Sequence, residues 1–123
     1  MPQLPRGYSV THVDDVDQTE DAVSTVPSTF FGFTATNQSG GDLFLKFFNA
    51  TVANVSVGTT APVLTIGLPA NSGKEIEFVG GITFSNAITM ACTTGSPDSD
   101  SGGPAADDCA VSALYLTGTQ RQG

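Results

Sequence analysis

Residues 42–91, DLFLKFFNATVANVSVGTTAPVLTIGLPANSGKEIEFVGGITFSNAITMA, decide the fold. Short apolar or alternating runs are separated there by turns rich in Gly, Pro and Asn. In residues 74–79 (KEIEFV) polar and apolar side chains alternate strictly, the period of a half-buried strand. Residues 43–49 (LFLKFFN) and 63–68 (VLTIGL) read as further strands, with a turn at residues 69–73 (PANSG). Working outward, residues 30–36 form an earlier strand, closed by the turn at residues 37–41 (NQSGG). Val55 and Val57 suggest a short strand over residues 52–57, and Gly80-Gly81 a break before residues 82–84. A strand over residues 87–92 follows. A loop of small and acidic residues, 93–108, then leads to a last strand over residues 109–116. Strands recur about every ten residues, no segment has helical period, and the expected fold is a single antiparallel β-sandwich, jelly-roll-like.

The chain has 123 residues, enough for one domain with its own core. Twelve acidic residues against four basic ones give a net charge of −8. Asp14, Asp15, Asp17, Glu20 and Asp21 crowd the first thirty positions, and Asp98, Asp100, Asp107 and Asp108 the late loop. That balance opposes binding to nucleic acid, whose phosphates need a basic surface, and to anionic membranes. It suits solubility, or docking onto a basic protein surface. Met1, Pro2, Gln3 and Pro5 form no apolar signal region, and no stretch approaches membrane-spanning length, so synthesis and use in the cytosol, or assembly there into something that later leaves, are expected.

Residues 1–29 differ from the rest. They are acidic, and their apolar residues stand singly, among them Tyr8, Val10, Val13 and Val16. An extended N-terminal arm that orders along a neighbour accounts for this spacing; a disordered leader is the alternative. The expected division is an arm over residues 1–29 and a sandwich over residues 30–123.

Several strings imitate active sites. Asp100-Ser101-Gly102-Gly103-Pro104 matches the surroundings of a serine-protease nucleophile, but the only histidine, His12, lies in the acidic leader. The run from Gly67 to Lys74 has one residue too many for a phosphate loop, Glu75 replaces the metal-binding hydroxyl, and strands flank it. The acids of the late loop do not fit an EF-hand, whose twelfth position is Cys109 here. No catalytic residue, metal site or cofactor is expected.

Cys92 ends one strand and Cys109 begins the next. If those strands pair, a disulfide is possible, and closing the loop would stabilise by roughly 3 kcal/mol. Two buried thiols are the alternative, since a cytosolic route keeps them reduced. Phe30-Phe31 and Phe47-Phe48 place consecutive rings on opposite faces of a strand. One ring of each pair must leave a simple core or be covered by a partner subunit, so these four are candidates for an oligomer interface.

The strings LKFFN (residues 45–49), VGTTAPVL (57–64), LPA (68–70) and GITFS (81–85) resemble small β-rich virion proteins of tailed bacteriophages. The similarity spans roughly residues 35–116 and consists of turns and strand cores. It implies a non-enzymatic capsid decoration (cement) protein that binds the outer surface of the shell and stabilises it. The implied partners are the major capsid protein and further copies of this chain, as a homotrimer or dimer; the resemblance does not reach the arm, whose spaced Tyr8, Val10, Val13 and Val16 are its own candidate contacts. The implied location is the virion surface, after assembly in the host cytoplasm. A tail, neck or fibre-associated adhesion module is the alternative that the same strings allow.

Overall fold

The computed structural model describes residues 8–117. Eight strands occupy most of that span: β1 (Ser9–Val13), β2 (Asp21–Ser24), β3 (Ser28–Asn37), β4 (Leu43–Phe48), β5 (Leu64–Leu68), β6 (Ser72–Phe84), β7 (Ile88–Thr93) and β8 (Cys109–Thr117). They form two four-stranded antiparallel sheets, one ordered β1-β8-β3-β6 and the other β2-β7-β4-β5. The protein is an all-β sandwich. Its pairing is nested, β1 with β8, β2 with β7, β3 with β6 and β4 with β5, and successive pairs fall in alternate sheets. The core lies between the sheets and is dominated by Phe30, Phe33, Phe47, Phe84, Leu43, Leu45, Ile88, Met90 and Val111. Phe30 is its hub, with ring centroids 4.7 Å from Phe47, 5.2 Å from Phe78 and 5.8 Å from Phe84.

The expected boundary at residue 29 is corrected by the strand pairing. Residues 9–13 and 21–24 are edge strands of the two sheets, so the leader is built into the sandwich over these positions; residues 1–7 lie outside the described residues. The physical reason is the spacing of its valines. Val16 and Val23 are buried in the core, and Val13 packs against it, so the leader carries apolar surface that the sandwich needs. Residues 118–123 of the expected sandwich also lie outside the described residues.

Two strand assignments differ from expectation. Residues 52–57 form a short 3-10 turn at Val52–Asn54 and further turns, because both edges of β4 are already paired with β5 and β7. Gly80 and Gly81 do not end a strand but lie inside the continuous β6. Opposite them, β3 pairs Phe30 with Ile82 and Gly32 with Glu77, so residues 78–81 bulge against the single residue Phe31. Val79 at the tip of this bulge is 92% exposed.

The bulge also rescues a conflict in the sequence. Strict alternation would put Phe30 and Phe33 on opposite faces, yet both are buried, because Phe31 is an extra residue relative to β8. Gly32 makes this possible: its φ is +149°, and a Cβ there would overlap the Ile76 carbonyl oxygen. Gly32→Ala is therefore expected to cost about 3 kcal/mol or more, measured by chemical denaturation. A variant as stable as the parent would show that the bulge relaxes without cost.

Candidate functional site

The outer face of the β1-β8-β3-β6 sheet divides into an apolar end and a polar end. Cross-strand register sets Val10 opposite Leu114 and places Leu116 beside Thr29. Tyr8 lies against Phe31 with ring centroids 4.8 Å apart and planes tilted by 34°. Around these rings, Gly32, Glu77 and Leu114 complete a shallow cleft of about 160 Å³. Tyr8 and Val10 are more than half exposed, at 53% and 58%. This is an aromatic, partly exposed patch on a paired sheet, bordered by the carboxylates of Glu75 and Glu77.

Of the expected arm contacts, then, Tyr8 and Val10 face outward, while Val13 and Val16 are used by the chain's own core. Of the expected interface aromatics, Phe31 alone remains partly exposed. Phe30 and Phe47 lie fully inside the core. Phe48 does point out of the far sheet, but the chain covers it itself: Val55, Val57, Ala50 and Ala91 form a second small apolar cluster around it. Asn49 secures that cover, its side-chain oxygen accepting from Asn86 N at 2.8 Å, and Thr89 Oγ1 donates to Ala50 O at 2.6 Å.

At the polar end of the same face, His12 sits opposite Ser112 and Ser112 opposite Thr34. His12 Nδ1 is 2.7 Å from Ser112 Oγ, and His12 Nε2 is 2.6 Å from Asp14 Oδ1. Sequence reasoning missed this Ser–His–Asp line, since Ser112 and His12 lie a hundred positions apart. Its geometry favours a polar ladder over a nucleophile. Ser112 is in the interior strand β8, whose backbone is paired on both sides, so no neighbouring pair of N–H groups is aimed to hold an oxyanion. The serine of the protease-like string, Ser101, lies elsewhere, packed beside Gly58 in the 94–108 loop.

That loop and the leader meet at one end of the sandwich. Asp107 N donates to Asp15 Oδ1 at 3.0 Å, and Gln18 packs against Gly103. Buried Lys46, projecting from the outer face of β4, anchors the loop by donating from Nζ to Pro97 O at 2.7 Å. The two acidic clusters of the sequence thus converge. Among the described residues, no group of His, Cys, Asp and Glu has the arrangement of a metal site, and no helix is long and apolar enough to cross a membrane.

Asp21 registers the crowding. Its carboxyl is held above the ordinary value of 3.8, first by burial and then by Asp17, Asp15 and Glu20. Between the ordinary value and the raised one, the folded protein holds a proton that the unfolded chain has lost. Stability therefore falls as pH rises through that window. Asp21→Asn should modestly raise the thermal midpoint at neutral pH, with the gain disappearing as pH is lowered towards 3.8. A gain independent of pH would instead point to packing.

Cys92 and Cys109 are both free thiols in the core. Their strands do not pair, contrary to the condition set by the sequence reading: β7 and β8 belong to different sheets, and Cys92 lies beside Leu45 and Cys109 beside Asn37. The side chains nevertheless come together between the sheets, in one buried cluster.

Compared with family models, curated proteins and solved structures, the chain matches none.

Proposed function

We propose that the protein is a non-enzymatic component of a tailed-phage particle, a decoration protein that sits on the outer surface of the capsid shell and braces it. The observation that carries this reading is the set of virion-like strings over residues 45–49, 57–64, 68–70 and 81–85, which fall on strand cores and the turns between them. We read the nested strand order as a jelly roll, an architecture common in viral capsid and lectin domains. Fold alone assigns no function, so the surface must supply the rest.

The docking face in this proposal is the apolar end of the outer sheet, with Tyr8, Val10, Phe31 and Leu114. Rigid aromatic rings on a sheet lose little entropy on binding and make efficient anchors. The acidic end, with Asp15, Asp17, Asp107 and Asp108, would steer the protein towards a basic shell surface. Many weak sites become a firm brace when copies associate.

The test is the copy number of the protein in purified particles, by quantitative mass spectrometry. Stoichiometry comparable with the major shell protein supports decoration. A handful of copies moves the protein to tail or neck, and absence removes it from the virion. A Phe31→Asp variant that folds normally yet no longer binds particles would locate the docking face.

A further inference from the structure

We propose that Cys92 and Cys109 are an oxidation site, forming a disulfide that ties the two sheets together when the protein meets a small-molecule disulfide such as oxidised glutathione. The proposal stands apart from the virion reading.

Both residues are 0% exposed and belong to one core cluster, so they meet in a dry setting. They come from opposite sheets, at the corner where the chain crosses between those sheets. The crossing residues are Val16 and Asp17. Val16 N donates to Cys109 O at 2.8 Å, and Cys92 N donates to Asp17 O at 2.7 Å. Adjacent residues of one strap thus hold the two cysteine backbones, and consecutive Cα atoms are only about 3.8 Å apart. The two cysteine backbones are therefore held close to one another at this corner, the condition a bridge needs.

The two thiols titrate as a pair, and their mutual contact and burial hold the last proton well above the ordinary range. The thiolate that forms first attacks one sulfur of the oxidant, forming a mixed disulfide and expelling one glutathione thiolate. The other cysteine, deprotonated as it reacts, then attacks the sulfur of the first and expels the second. Two protein thiols are oxidised to one disulfide, the oxidant is reduced to two thiols, and the two protons pass to the released thiolates. Access requires the Val16–Asp17 strap to open, or oxidation before the corner closes during folding. Once formed, the bond links β7 to β8 directly and closes the loop of residues 93–108.

The test uses the full-length protein, purified reduced and then refolded from denaturant in buffers of graded oxidised-to-reduced glutathione. Products are denatured, alkylated with N-ethylmaleimide and weighed intact. The expected product takes up no alkyl group, carries no glutathione and is lighter than the reduced chain by two hydrogens. Its thermal midpoint is expected to rise on the order of 10 °C above that of the reduced form. Cys92→Ala and Cys109→Ala chains should each lack this species. Refolding removes the barrier of access, so two alkylatable thiols in excess oxidised glutathione would overturn the proposal. Stable glutathione adducts on both cysteines, or a bridged form melting no higher than the reduced one, would overturn it too.

Discussion

A chain beginning at Thr25 is expected not to fold. The truncation removes β1 and β2, the edge strands of the two sheets, and unpairs β8 over residues 111–115 and β7 over residues 88–90. It takes Val16 and Val23 out of the core, each fully buried and contributing about 2 kcal/mol of apolar burial. It also removes the strap that holds Cys109 O and Cys92 N. These losses together rival the total stability of a small domain, about 5–15 kcal/mol. Two bare interior edges would meanwhile invite aggregation. Far-ultraviolet circular dichroism and a thermal melt of the soluble fraction are the measurement. A detachable arm would leave a cooperative transition within a few degrees of the full chain, and that result would refute the role assigned to β1 and β2.

Phe30→Ala is expected to be the most damaging single truncation of a side chain, costing about 4 kcal/mol. The ring has no exposure and touches those of Phe33, Phe47, Phe78 and Phe84, drawn from both sheets. Its removal leaves a cavity that strands paired on both sides cannot collapse to fill, and aromatic pair contacts are lost besides. The urea midpoint should fall by roughly 2 M. The neighbouring Phe31→Ala should cost about 1 kcal/mol or less, because that ring is partly exposed and touches Tyr8 on the outer face. Equal losses for the two variants would mean that the bulge at Phe31 does not separate core from surface.

Much of the sandwich was legible in the sequence because strand signals are local. The alternation in residues 74–79 and the apolar runs at 43–48 and 64–68 mark half-buried or buried extended chain wherever their partners lie. The turns at residues 37–41 and 69–73 are likewise written in Asn, Ser, Gly and Pro. The candidate surface was only half legible. Tyr8 and Phe31 stood out singly, but nothing local says that two residues so far apart meet ring to ring.

By itself, then, the sequence determined an all-β chain, its main strands, its acidic clusters and the lack of a recognisable catalytic motif. Tertiary structure alone decided who pairs with whom. It brought residues 9–13 to β8, set Ser112 against His12, folded a loop over Phe48 and faced Cys92 with Cys109 across the core. The reason is that a two-residue period reports which face a side chain takes, while the identity of the neighbouring strand depends on burying shared apolar surface between segments about a hundred residues apart.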